Sequence, residues 1–419
     1  MIIQRNFQPN SNIRKKLMII RRIVTITAPL LVISMLASPA AFAQYCQNTG
    51  SFNVWLKGFK NEARSQGISE RTINSALSGI KYNKKIVQRD RRQSFFSQSF
   101  LEVSGRMISK NRIVTGSKRM KQYKRVFDSV EKSYGVPAPV IAAFWALESD
   151  FGVNMGKDKS LRSLATLAFD CRRPELFRPE LMAALKIIDR GDLRAKEMIG
   201  SWAGELGQTQ FLPTHYYNHA VDFDGDGRRN LLKSAPDVIA STGAFLNHLG
   251  WHANEPWLKE VRIPSKMRWD QADLQIQHPR SKWVAWGVKQ ANGSPLRSDG
   301  LPASLLLPMG RKGPAFLAFN NFQIYLQWNQ SLVYATTAAY LATRYDGAGP
   351  VRKGSKNIKV FGYKDIKVLQ RRLTSKGYDV GGIDGKMGIK TRSSVKSAQI
   401  KLGLPADSYP TPELMNRLR

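Results

Sequence analysis

Apolar residues recur at helical spacing along most of this chain. Trp55, Phe59 and Ala63 stand four apart behind Ser51, a side chain suited to capping a helix start. The same amphipathic pattern predicts helices through residues 51–134. A further helix is expected after Pro137 and Pro139, and others over 179–188, 236–249 and 332–345. Between Trp257 and Phe322 the pattern changes, because Pro and Gly punctuate short apolar runs at 303–307 and 315–319. Such runs predict a few strands. The expected fold is therefore mainly α, an α+β domain with a small sheet.

That pattern stops at Asp346-Gly347-Ala348-Gly349-Pro350, and the basic stretch Arg352-Lys353-Gly354-Ser355-Lys356 follows. Gly, Pro and charge together predict a linker over 346–355. Helical periodicity then resumes near Asp365 and runs through Leu369, Gln370 and Leu373 to Gly377-Tyr378. Residues 351–419 carry 16 basic and 5 acidic side chains, so the tail is a separate, strongly basic unit.

Charge sharpens the picture for the whole chain. Sixty-five Lys and Arg face 31 Asp and Glu, a net charge of +34, while 42% of residues are hydrophobic. Wholesale disorder is excluded by that apolar content. The charge calls for an acidic partner: nucleic acid, an anionic membrane face or a polyanionic wall polymer. Arg14, Lys15, Lys16, Arg21 and Arg22 precede an apolar run over 23–36 and then Ala41-Phe42-Ala43. A basic start, a short apolar core and small residues at an A-x-A site predict a cleavable secretory signal over 1–43, and the run is too short to span a membrane comfortably. Removing it takes away six basic and no acidic side chains, leaving 59 against 31, a net of +28. Export to the periplasm weakens the nucleic-acid reading, and no nucleic-acid partner is expected. The context of Cys46 lacks the small residues of a lipid-attachment site, so no membrane anchor is expected, and a monomer is.

One segment carries the chemistry: Phe144-Trp145-Ala146-Leu147-Glu148-Ser149-Asp150-Phe151-Gly152. At 100° per residue Ile141, Phe144 and Phe151 fall within about 60° of Glu148, whereas Asp150 points away. Glu148 is thus the acid on the apolar face. Burial disfavours its ionised form, which is what a general acid near neutral pH requires. From the pattern alone, a structural Glu paired with an Arg is the alternative.

The same segment resembles the catalytic-Glu motif of the B-type lytic murein transglycosylases. Asp90-Arg91-Arg92-Gln93, Leu164-Ala165-Thr166-Leu167-Ala168, the stretch Ser201-Trp202-Ala203-Gly204-Glu205-Leu206-Gly207-Gln208-Thr209-Gln210-Phe211-Leu212-Pro213, Asn321-Phe322 and Trp328-Asn329-Gln330-Ser331 resemble further family motifs in the family's order. The resemblance implies a lysozyme-like catalytic domain over 44–345. It also implies cleavage of the β-1,4 bond between N-acetylmuramic acid and N-acetylglucosamine, with formation of a 1,6-anhydro sugar. Glu148 would act first as acid and then as base, with no cofactor. Carry-over places Ser201, Trp202, Gln210, Asn321 and Tyr334 around the substrate, with Phe211 either a stacking surface or ordinary packing. Glu205 stands where the family is expected to have a small residue, so a second carboxylate either positions water or faces solvent. A hydrolytic muramidase and a non-catalytic wall-binding scaffold are the competing readings.

In the tail, Gly382-Ile383-Asp384-Gly385, Gly388, Thr391-Arg392 and the stretch from Gln399 to Leu404 resemble a type 1 peptidoglycan-binding domain, a small three-helix module over 356–419. Its implied partner is the glycan strand itself, and tethering there raises local concentration.

Two smaller features complete the reading. Asp222-Phe223-Asp224-Gly225-Asp226-Gly227 spaces carboxylates like an EF-hand loop, yet Lys233 stands where a closing Glu is needed. The resemblance suggests Asp237 as the substitute ligand for a structural calcium, and a metal-free turn bonded to Arg228 or Arg229 is the alternative. Cys46 and Cys171 are the two cysteines, which form one disulfide in an oxidising compartment or remain two thiols.

Overall fold

The computed structural model describes residues 50–91, 98–355 and 357–419. The secretory signal, Cys46 and the Arg92-Gln93 half of one motif lie outside the described residues.

Helices dominate, and their starts follow the side chains that cap them. Ser51 accepts from the Val54 N–H at 3.3 Å, opening the helix Phe52–Ser65, whose Trp55, Phe59 and Ala63 are buried as their spacing predicts. The stretch expected over 332–345 is the helix Leu332–Tyr345, capped by Ser331. One expectation fails at a proline. Pro179 does not open its helix but lies inside Pro174–Asp189. The residues around it are buried against the helix Ser160–Phe169, and that packing outweighs the hydrogen bond a mid-helix proline forfeits.

The expected strands also form. Their order across a five-stranded sheet is His278–Pro279, Pro302–Leu306, Phe316–Ala318, Leu258–Arg262 and Lys289–Gln290, with every neighbour antiparallel. Leu305 pairs with Leu317, and both join Val261, Trp283 and Phe319 in a core separate from the main helical one. A third core, of Ile366, Leu369, Leu373, Val395 and Leu414, belongs to the tail helices Tyr363–Ser375, Ile389–Lys401 and Pro412–Arg417.

The stretch expected as a linker is held against the larger unit. Val351 N–H donates to the Tyr340 hydroxyl at 2.8 Å, and the Arg352 guanidinium meets Glu260 at 3.0 Å. The tail module docks as well: Arg392 donates to the Leu307 carbonyl at 2.8 Å, Lys396 pairs with Asp273 at 3.2 Å and Arg311 with Asp407 at 3.2 Å. A partner is what makes each of these buried or half-buried charges tolerable.

Candidate active site

Glu148 occupies the last turn of the helix Ala138–Ser149. Residues 140–147 of that helix are all buried, so it runs through the core and not along the surface. Its exit is abrupt. Asp150 and Phe151 both adopt left-handed backbone, at φ 52° and 60°, which costs a non-glycine residue on the order of 1 kcal/mol each. Three contacts hold the bend: Arg112 Nε donates to Asp150 at 2.7 Å, Ser149 Oγ donates to the Gln208 carbonyl, and Gly152 N–H donates to Ser149 Oγ at 2.8 Å. Phe151 therefore leaves the helical face on which periodicity placed it, and packs edge-on against Trp145 instead.

The bend presents a half-buried Glu148 to two donors from distant parts of the chain. Trp328 Nε1 donates to Glu148 Oε1 at 3.0 Å, and the Tyr334 hydroxyl donates to the same oxygen. Trp328 is held flat by Phe144, stacked at 4.2 Å, with Phe211 at 5.6 Å and Phe245 at 5.5 Å around it. Burial pushes the Glu148 carboxyl above the usual range, and the two donors oppose that by favouring the anion. The Tyr334 phenol is pushed well up by burial and by Glu148, so it remains a donor.

Ser201 and Glu205 form the next layer. Ser201 Oγ donates to Glu205 Oε2 at 3.0 Å and accepts from the N–H groups of Ala203 and Glu205 at 3.1 and 3.2 Å. Glu205 is buried and not solvent-facing. Its carboxyl is pushed up to about 8, by burial first and by the Glu148 charge second. The turn needs its glycine: Gly204 has φ 90°, and a Cβ there would lie 2.3 Å from Leu164 Cδ2. Gln210, at φ 52°, donates to the carbonyls of Gly207 at 2.8 Å and Met155 at 3.2 Å. Trp202 is buried beneath the Arg89 guanidinium, 5.7 Å from its ring.

Asn321 and Phe211 both lie in the packed interior. Asn321 is fully buried. Its amide donates to the carbonyls of His252 and Glu255, each at 2.8 Å, and its oxygen accepts from His252 N–H at 2.8 Å. With both N–H donors spent on that loop, it braces backbone. Phe211 is wholly buried, so of its two readings the structure fits ordinary packing. Trp328, to which its motif alone assigns no role, touches Glu148. Its neighbour Asn329, also buried, accepts from Ser331 N–H at 3.0 Å and so shapes the junction that delivers Tyr334. A cavity of about 990 Å³ between Trp257, Tyr340 and Arg352 contains none of these site residues.

On the acidic loop, ligand-capable oxygens of Asp222, Asp224 and Asp237 lie within 4.8 Å of one another. Asp226 is outside that group and accepts from Arg228 N–H at 2.8 Å. Asp237, from the next helix, accepts from the Asn230 and Phe223 N–H groups at 2.7 and 2.8 Å, closing the loop where Lys233 cannot. Cys171 is disulfide-bonded.

Comparison with known proteins is consistent over both units. Residues 51–343 match the model of the transglycosylase SLT domain, and residues 362–418 that of the putative peptidoglycan binding domain. Membrane-bound lytic murein transglycosylase B of Escherichia coli K12 is 33% identical over 242 residues, 57% of this chain. That alignment spans 64% of the relative, a little under two thirds of its length. SltB3 of Pseudomonas aeruginosa, solved in complex with NAG-anhNAM-pentapeptide, is 40% identical. It covers 88% of this chain and 99% of its own, with a TM-score of 0.82. The Escherichia coli lytic transglycosylase Slt35, solved in complex with calcium, is 25% identical over 70% of this chain and 92% of its own, with a TM-score of 0.59.

Proposed function

Because this chain belongs to the transglycosylase SLT family, we propose that it is a periplasmic peptidoglycan lytic transglycosylase whose catalytic residue is Glu148. Its catalytic unit is 44–345 and its wall-binding module 356–419, delivered by the signal at 1–43. The observation that carries the reading is the asymmetry of the Glu148 carboxyl. Both donors fall on Oε1, and among the described residues no donor meets Oε2. The acid proton therefore resides on Oε2, the oxygen free to meet substrate.

From that position Oε2–H protonates the glycosidic oxygen between N-acetylmuramic acid and N-acetylglucosamine as the C1–O bond breaks. The 2-acetamido oxygen of the muramic residue supports the anomeric carbon, a substrate-assisted route that needs no second carboxylate. The carboxylate left behind is stabilised by the Trp328 and Tyr334 donors. It then takes the proton of the C6 hydroxyl, whose oxygen attacks C1, displaces the acetamido oxygen and closes the 1,6-anhydro ring. Glu148 ends as it began, protonated. Glu205, held neutral at pH 7 by burial, serves as the partner that orients Ser201 and is not a base for water. Ser201, Trp202, Gln210 and Tyr334 line the glycan site.

The loop carboxylates Asp222, Asp224 and Asp237 suit a hard cation, and calcium there would fix the loop between two helices without entering the chemistry. The likeness to a relative solved with calcium supports this assignment. The test of function is Glu148→Gln on intact sacculi, followed by mass spectrometry of released muropeptides. Wild type yields anhydro ends, and the variant should lose on the order of 10²–10⁴ in rate. Reducing ends without anhydro products would indicate a muramidase, and undiminished lysis would remove Glu148 from its role.

A further inference from the structure

Three of the five histidines gather at one place that the catalytic reading does not use. His215 and His219 lie one turn apart on the helix Pro213–His219, and His248 ends the helix Ala235–His248. The rings of His219 and His248 are 4.2 Å apart, those of His215 and His219 6.3 Å. Phe245 supplies a common floor, 4.5 Å from His215 and 5.1 Å from His219. His248 is exposed and the other two half-buried, so the cluster opens to solvent.

Its chemistry is unusual for packing alone. No hydrogen bond or ion pair engages a ring nitrogen of these three residues among the described residues. At His215 and His219 the influences are burial first and then the neighbouring imidazoles, with no carboxylate among them. Burial and mutual repulsion bring His215 and His219 down to about 4, so both keep an unprotonated nitrogen lone pair at neutral pH. Unpaired, neutral, accessible imidazoles are the ligands that borderline transition metals select, while calcium and magnesium avoid them.

The rings are neighbours, and holding a metal asks them to turn. A zinc ion held at about 2.0–2.1 Å by two imidazoles puts their ring centroids roughly 4.5–5.3 Å apart. The observed separations of 4.2 and 6.3 Å fall on either side of this span. Modest ring rotations, easiest at exposed His248, would bring each pair into it. Histidines at i and i+4 on one helical face are also a recurrent zinc-binding arrangement.

We propose that His219 and His248, with His215 completing the set, form a binding site for a divalent transition metal of the zinc class. Water fills the remaining coordination positions. The ion clips the end of the helix Pro213–His219 to the end of Ala235–His248, the two helices that flank the acidic loop 222–230. Through Phe245, which packs on Trp328, the clip also braces the wall behind Glu148.

The test uses the full chain, freed of any polyhistidine tag and treated with chelator, titrated with zinc chloride in a calorimeter and followed by thermal melting. Wild type should bind one equivalent and melt at higher temperature with metal, since ligand bound to the native state alone stabilises it. Excess calcium should not displace the zinc, which separates this site from the Asp222 loop. His248→Gln, at an exposed position, should weaken binding by more than the roughly 10–100-fold that loss of an outer partner costs a metal site. The double variant His219→Gln/His248→Gln should bind none while melting, metal-free, like wild type. Failure of wild type to take up zinc, unchanged uptake by the double variant, or displacement by calcium would overturn the proposal.

Discussion

Replacing Glu205 by Gln removes one ionisable group from a fully enclosed position and leaves its shape. In the folded chain this carboxyl lies near 8, whereas its ordinary value is 4.5. Below 4.5 both folded and unfolded chains hold the proton, and its stabilising contribution is fully present. As pH rises the unfolded chain releases the proton first, so stability is lost progressively until the folded group also ionises near 8. Linkage puts the loss between pH 5 and pH 8 at roughly 3 kcal/mol for this residue alone. Glu180, pushed by burial up to about 7, contributes in the same direction, so the quantity to read is the difference between wild type and variant. Urea denaturation of both proteins at pH 5 and pH 8 measures it. Wild type should weaken with pH by roughly 3 kcal/mol more than Glu205→Gln. Equal pH dependence in the two proteins would refute the buried, neutral assignment. Activity gives a second reading: the variant should retain lysis within about tenfold, and a loss comparable to that of Glu148→Gln would make Glu205 a second catalytic carboxylate.

Tyr334→Phe removes a donor that favours ionised Glu148, so the alkaline limb of the pH–rate profile should move to higher pH; an unmoved limb would refute the contact. Gly204→Ala forces a Cβ into Leu164 at a left-handed position and should lower stability by about 1–3 kcal/mol, read as a fall in Tm. Asn321→Ala leaves three backbone groups of the 252–255 loop without their partner and should cost about 1–3 kcal/mol, while kcat of the folded enzyme stays near wild type. A large drop in kcat with unchanged Tm would return Asn321 to the substrate site.

Much of the framework follows from neighbours in sequence. Ser51 before Trp55, Phe59 and Ala63 is enough to start and orient the first helix, because capping and amphipathicity act within a few residues. The short apolar runs between Trp257 and Phe322 become strands for a similar reason. Glu148 as the acid on an apolar face is readable from 100° steps, and its raised proton affinity follows from burial. Where local rules compete with packing they fail: Pro179 continues a helix it was expected to open, and Phe151 departs from the face that periodicity assigned to it.

The catalytic environment is a different matter. Trp328 and Tyr334 stand 180 and 186 positions from Glu148, and nothing in their spacing tells that both donate to one carboxylate oxygen. That meeting depends on how the helices Asn320–Trp328 and Leu332–Tyr345 dock against the Glu148 helix, a choice made by many small contacts summed over the core. The same holds for Asn321, which the resemblance places at the substrate and whose amide bonds the 252–255 loop, and for the three histidines, which two helices bring to one floor. Sequence alone determined which carboxylate lies on the apolar helical face and which segments are helical, since those depend on chemistry and period within a turn or two. Tertiary structure decided what each polar group bonds to, because a buried donor or acceptor must be satisfied by whatever the folded chain places within about 3 Å of it.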